Sequence, residues 1–310
     1  MAQSQRDVRN RITAVRNIEK ITRAMAMVAA ARLRRAEQRI EALRPYASAI
    51  RRMTRQASQA AGSVPSVPIL QEHDEVRTVG LLLAAGDRGL AGAFNSNVIR
   101  AGIAAGREHE AAGRRVVYYA SGRRVASSLT FRGLEPAASF TGFTDRPDYS
   151  DARRIAERLM AAFLDDEVDQ VEVFYNGFVS VISQVVRRET LLPLQRATVL
   201  ESEAAEEDGA GADGSGGSGA AVPLRVVPEY EPDAAAVLKR LVPDYVEISI
   251  YRALLESTAS EHGARMTAMR HASDNAGELI QDLTLQMNRA RQAEITQEIM
   301  EVVAGAEGLG

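Results

Sequence analysis

The stretch from Ser260 to Gly305 constrains this chain most. It contains no proline, and its apolar or small residues fall in two interleaved rows. One row is Met269, Ala276, Leu283 and Ala290; the other is Met266, Ser273, Ile280 and Met287. Each row steps by seven, and together they give the alternating three-and-four spacing of a coiled-coil seam. A polar helix with so narrow an apolar stripe must lie against another helix. The opposite end of the chain offers one. Val8, Ile12, Val15, Ile18, Met25, Val28, Ala36, Ile40, Leu43 and Ile50 keep nearly the same spacing. Two terminal helices of about 50 residues, each running on the order of 75 Å, can pair as one antiparallel coiled coil. A helical bundle, or a dimer through the same seam, would use the same pattern.

The intervening chain reads differently. Pro45 should kink or briefly break the first helix, expected over 3–59, and Pro243 the second, expected over 233–303 with Asp233 as N-cap. Residues 62–68 (GSVPSVP) form a linker. Strands are expected over 76–85, 115–120, 137–141, 168–175 and 178–190, the last two joined across an Asn176–Gly177 turn. Helices are expected over 95–112, 123–131 and 149–164, with Ser150 as a candidate cap. This alternation predicts an α/β layer on a largely parallel sheet. Residues 203–222 are acidic and glycine-rich and are expected to be a disordered insertion; residues 223–228 could add an edge strand.

At 310 residues the chain has room for a domain plus an elongated element, and at 45% hydrophobic it can bury a core. It has no cysteine, so disulfides, thiolate metal sites and a thiol nucleophile are excluded. Its N-terminus is charged from the start, and its longest apolar run, Val79–Ala85, is too short to span a bilayer. A soluble, cytoplasmic protein is the expectation. Net charge is −3, but unevenly spread: residues 1–60 carry 14 Arg or Lys against 4 Asp or Glu, a net of 14 − 4 = +10. Residues 201–222 carry 6 acidic residues and no basic one. A basic helix implies an anionic partner, although an arginine-rich solvated face would look the same.

No chemistry-bearing constellation stands out. The loop GDRGLAG, residues 86–92, sits between a strand and a helix, where nucleotide-binding domains place a phosphate loop. Its glycines, Gly86, Gly89 and Gly92, step by three and match neither G-x-G-x-x-G nor G-x-x-x-x-G-K-[ST]. A tight turn in which Asp87 and Arg88 pair with a neighbour fits better. The histidines, His73, His109, His262 and His271, show no ligand spacing. Paired carboxylates such as Asp165–Asp166 and Glu206–Glu207 fall at a helix end and in the insertion. The pattern points to a mechanical or scaffolding role, with no catalytic residues, cofactor or metal.

Three stretches carry a resemblance: KITRAMAMVAAARLRRA at 20–36, GDRGLAGAFNSN at 86–97, and residues 259–306 from ASEHGARMTAMRHASDNA to EITQEIMEVVAGA. YEPD at 230–233 adds a fourth. In this order they resemble the γ subunits of F-type ATP synthases, across almost the whole chain except 203–222. The family usually has lysine at Arg32 and often cysteine at Ala91.

The resemblance implies a long antiparallel coiled-coil shaft from residues 1–60 and 230–305, with a Rossmann-like α/β foot domain at 75–228 between its helices. It implies a central rotary shaft, one copy per complex, inside a ring of α and β subunits. Its foot would rest on the ε subunit and the membrane c-ring, peripheral to the cytoplasmic face of a bacterial membrane. It implies that proton flow through the c-ring drives rotation that changes the catalytic β subunits in turn. By resemblance, Met25 faces the β-subunit lever, and Arg265, Gln292 and Thr296 contact the ring or support that contact. Tyr230 and Glu231 match the foot near the c-ring. A coiled-coil nucleic-acid-binding protein and a nucleotide-binding enzyme are the other readings. The first lacks readout motifs, the second a phosphate loop. Only a shaft would co-purify stoichiometrically with ATPase subunits.

Overall fold

The terminal seams meet within one protomer. The computed structural model describes residues 5–60, 68–70, 73, 75–181, 183–194 and 233–307. Helix α1 spans Gln5–Ala60 and helix α5 spans Ala234–Glu307. At 74 residues α5 runs about 110 Å. The two are antiparallel: Val8 and Ile12 pack with Leu283, while Ala29, Leu33 and Ala36 pack with Ala259 and Met266. Further down, Ala47 and Ile50 share a cluster with Val246 and Ile250.

Burial along α1 follows one strict heptad: Val8, Ile12, Val15, Glu19, Thr22, Ala26, Ala29, Leu33, Ala36, Ile40, Leu43, Ala47, Ile50, Thr54 and Ala57. A repeat this regular imposes a left-handed wind. It corrects the sequence-derived seam at three positions. Ile18 and Val28 point outward, 52% and 53% exposed. Met25 flanks the seam, half-buried beside Ala26. The cause is size: between Val15 and Leu33 the contact is built from Thr22, Ala26 and Ala29, so a search for large apolar residues lands one position away. On α5 the expected rows hold. Met266, Met269, Ser273, Ala276 and Leu283 are buried, and Ile280, Met287 and Ala290 half-buried.

Neither proline interrupts its helix. Pro45 lies within α1 and Pro243 within α5, and helical structure is continuous through both. An interior proline costs about 3 kcal/mol. Leu43, Ala47 and Ile50 around one, and Leu241, Val242 and Val246 around the other, are anchored in the main core, and that burial offsets the lost bond.

A five-stranded sheet packs against the lower half of this pair, in the order β3-β2-β1-β4-β5. β1 is Thr78–Ala84, β2 Arg115–Ser121, β3 Ala138–Phe140, β4 Gln170–Phe178 and β5 Gln184–Leu192. The first four are parallel and β5 is antiparallel to β4. Helix α2 (Phe94–Ala111) and helix α3 (Arg123–Phe131) cover one face, α4 (Tyr149–Leu164) and α5 the other. β1 shows why both faces close: Val79, Leu81 and Leu83 enter the α2–α3 core, and Leu82 and Ala84 the α4–α5 core. The first part of α5, from Leu238 to His262, is therefore buried on most sides.

Two local expectations change. Asn176–Gly177 is not the hairpin turn; β4 runs through it, and the chain reverses at Ser180–Ser183. Asn176 is buried, and its side-chain amide donates to the Phe94 carbonyl at 3.0 Å. The Arg187 side chain fills the space a Gly177 Cβ would take. Helix α4 is capped by Asp148, two residues before Ser150; its backbone N–H donates to the Asp151 carboxylate at 3.1 Å. Asp233 does cap α5, accepting from the Ala236 N–H at 2.7 Å. Residues 62–67 of the linker, the 203–222 insertion, the edge strand at 223–228, and Tyr230 and Glu231 lie outside the described residues. Among the described residues no helix is long and apolar enough to cross a membrane.

Candidate functional site

In doubly wound sheets the ligand crevice opens at the carboxyl ends of the strands, where the winding reverses. Here that point lies between β1 and β4, and α5 fills it. Ser257 Oγ donates to the Ala84 carbonyl at 3.4 Å and Ser260 Oγ to the Asn176 carbonyl at 3.0 Å. Where a nucleotide would sit, the shaft is seated.

The GDRGLAG loop braces that seat. The Asp87 carboxylate accepts from the backbone N–H groups of Arg123 and Gly142, both at 2.9 Å, and from the Thr144 N–H and hydroxyl at 3.2 and 3.0 Å. It ties the β1–α2 loop to the start of α3 and to the β3–α4 loop. The Asn95 side chain closes the turn, accepting from the Gly86 N–H at 2.9 Å and donating to the Arg88 carbonyl at 3.0 Å. Gly86 is required by proximity, because a Cβ there would lie 2.8 Å from the Glu261 carboxyl carbon. Arg88 reaches Asp145 at 3.9 Å. The expected paired turn is what forms.

Both shaft helices reach these loops at one level, which forms a neck. From α1, Arg32 pairs with Asp145, and Arg39 donates to the Pro147 carbonyl at 3.4 Å. From α5, the Thr258 hydroxyl donates to the Thr144 carbonyl at 2.9 Å. Arg265 pairs with Glu261 at 2.5 Å and donates to the Gly89 carbonyl at 3.3 Å. Burial raises Glu261 above the usual carboxylate range, opposed by Arg265. Burial pushes His262 down to about 4, with Asp145 opposing and Arg265 assisting. At neutral pH His262 is therefore uncharged, and its 3.8 Å approach to Asp145 is not an ion pair.

The four described residues singled out from the sequence do not converge. Arg265 is 8% exposed and makes its contacts within the chain, pairing with Glu261 and donating to the Gly89 carbonyl. Met25 lies above the neck on α1, half-buried. Gln292 and Thr296 lie on the far end of α5, where every residue from Arg291 to Ala304 is exposed and the helix has run beyond the described start of α1. The Thr296 hydroxyl is turned back to the Gln292 carbonyl at 2.8 Å. The neck partners Asp145, Glu261 and His262 were missed. Asp145 sits in an irregular loop with no periodicity, and a buried ion pair leaves no spacing signature. Arg32 was visible only inside the 20–36 stretch.

Above the neck the shaft turns large apolar groups outward. Ile18, Ile21, Met27 and Val28 stand exposed on α1 among its cations, and Ile295, Ile299, Met300, Val302 and Val303 on the single-helix tip. Contiguous exposed apolar surface marks an interaction face.

A family model described as ATP synthase matches residues 4–309. The ATP synthase gamma chain of Rubrobacter xylanophilus is 42% identical over 309 residues, covering 99% of this chain and 98% of that one. That of Streptomyces coelicolor is 42% identical over 306 residues, covering 97% and 94%. Among solved structures, a chain of the central stalk and c-ring of Tetrahymena thermophila mitochondrial ATP synthase is similar, with TM-score 0.57 and 25% identity over 82% of this chain and 99% of that one. A chain of the Euglena gracilis mitochondrial enzyme has TM-score 0.64 at 18% identity, covering 98% and 94%, and shares the fold. The nucleic-acid reading of the basic helix finds no support among these relatives. With two terminal helices wound into a shaft, a sheet gripping its base and relatives alike from end to end, the chain belongs to the ATP synthase gamma chain family, the non-catalytic subunit that forms the enzyme's central rotor stalk.

Proposed function

We propose that this chain turns with the membrane c-ring and passes rotation from proton flow to a surrounding ring of α and β subunits. The observation that carries this reading is the outward apolar surface above the neck. A lone helix tip bearing Ile295, Ile299, Met300, Val302 and Val303 in the open is poorly suited to water and well suited to a sleeve. The sleeve would be the α/β ring, gripping the tip near Gln292 and Thr296. Lower down, the face of α1 that carries Met25, Ile18 and Val28 would meet the β-subunit lever. Its arginines would favour an acidic partner. Rotation then acts by steric push and charge, since only a difference in contact between rotary positions can drive the β subunits.

At the other end, Tyr230 and Glu231 together with the sheet domain would rest on the ε subunit and the c-ring, at the cytoplasmic face of the bacterial membrane. Affinity purification of the tagged full chain from its own cells tests the assignment. Stoichiometric recovery of α, β and ε is the expected result, and a chain recovered without them overturns it.

A further inference from the structure

We infer that the Arg32–Asp145 pair, with Arg39 on the Pro147 carbonyl, is a key that fixes the rotational phase of α1 against the foot domain, so that both shaft helices are driven by the foot. The two helices are attached to the sheet very differently. α5 is embedded from Leu238 to His262 and hydrogen-bonded to the ends of β1 and β4, so it must turn with the domain. Between Gln5 and Ile40 the apolar seam of α1 meets α5 and the tip of the β4–β5 hairpin, represented by Phe178 and Val181. Between Val15 and Leu33, just above the neck, that seam includes Thr22, Ala26 and Ala29, facing a helix whose own seam includes Ser273 and Ala276. Small side chains interdigitate little, so they resist rolling of one helix on the other weakly.

At this level α1 is held to the domain by apolar contact with Phe178 and Val181 and by two polar contacts that fix its rotation. Arg32 and Arg39 both reach the loop after β3, seven residues apart on the same face of the helix. That loop is itself fixed. Asp87 holds its Gly142 and Thr144, and Thr258 of α5 holds the Thr144 carbonyl. α1 and α5 therefore grip adjacent residues of one braced loop. If the grip of α1 is lost, torque still reaches α5 and the base of α1, where Ala47 and Ile50 lie in the main core, but the upper part of α1 carrying Met25 loses its fixed phase at the neck.

This inference rests on the rotor reading given above and is tested in the assembled enzyme, in inverted membrane vesicles, by protons pumped per ATP hydrolysed. Arg32→Gln and Asp145→Asn should each lower that ratio about two- to fivefold, the range open to a partly exposed ion pair. The double variant should be no worse than the worse single variant, because both remove one contact. Arg32→Lys, which keeps the charge, should restore the ratio to within about twofold of the native value. The key is wrong if either neutral variant leaves the ratio unchanged, if their losses multiply, or if Arg32→Lys is as poor as Arg32→Gln. Multiplying losses would place Arg32 against the stator instead. Failure of the rotor reading itself would appear separately, as loss of α and β from the purified complex.

Discussion

Gly122 illustrates how narrowly single residues fix the base of the neck. Its φ of 104° lies where L side chains are strained, and a Cβ there would sit 2.2 Å from the Ala85 carbonyl oxygen. Gly122→Ala should therefore cost about 3 kcal/mol or more, read as a fall in the urea midpoint of the purified full chain; an unchanged midpoint contradicts the close approach. His262 gives a pH-dependent counterpart. Its folded value of about 4 lies below the ordinary histidine value of 6.5. Between those limits the unfolded chain binds more protons, so stability falls as pH drops from 6.5 toward 4 and levels off below. Glu261, raised by burial, acts in the opposite direction over the upper part of its own range. The clean readout is therefore a difference. Between pH 7 and pH 4.5 the native chain should lose roughly 2 kcal/mol more than His262→Gln. Equal losses in urea unfolding at the two pH values would remove His262 as the titrating group. None of this was legible in advance. A histidine among polar neighbours reads alike whether its helix is solvated or buried, and only the packing of α5 across the strand ends decides.

At the level of elements, the helices and strands were largely written in local pattern. α2, α3 and α4 begin and end within a residue or so of expectation, because periodicity and flanking glycines or caps act over short range. The misreadings arose where tertiary contacts overrode local preference. Pro45 and Pro243 stay helical because their neighbours Ala47, Ile50, Val242 and Val246 are anchored in the core, and Asn176–Gly177, a strong turn signal, is drawn into β4 by the Phe94 carbonyl and Arg187. The seam correction yields a contrast between neighbours. Ala29 is 1% exposed and Val28 53%. Ala29→Leu should overpack the coiled coil and cost about 1–3 kcal/mol, while Val28→Leu should stay within about 0.5 kcal/mol. Thermal midpoints of the two variants check this, and equal shifts would mean that the register is wrong.

On the scale of the whole molecule, the prediction concerns Met25, which lies above the neck and flanks the outward face of α1. In the proposed complex a lysine there adds a long cation beside an acidic lever. One new pair, partly desolvated, is worth on the order of 1 kcal/mol. Tightening one rotary position relative to the others makes it harder to leave. Met25→Lys should therefore leave assembly intact but lower ATP-driven proton pumping relative to ATPase rate. If neither this ratio nor its temperature dependence changes, Met25 does not face the stator. Arg265 should also act within the chain: Arg265→Ala removes the partner of a buried carboxylate and should destabilise the isolated chain by about 3 kcal/mol, seen in its urea midpoint. The sequence by itself determined that two long helices must pair, that an alternating α/β layer lies between them, and that the glycine loop matches neither phosphate-loop pattern, because heptads, strand alternation and glycine spacing are local and periodic. Only the tertiary structure decided which face of α1 turns inward, that α5 occupies the mouth of the sheet, and that Arg32, Asp145, Glu261 and Arg265 meet at one level. Those outcomes depend on side-chain volumes and charges brought together from distant parts of the chain, and no spacing within a single stretch records them.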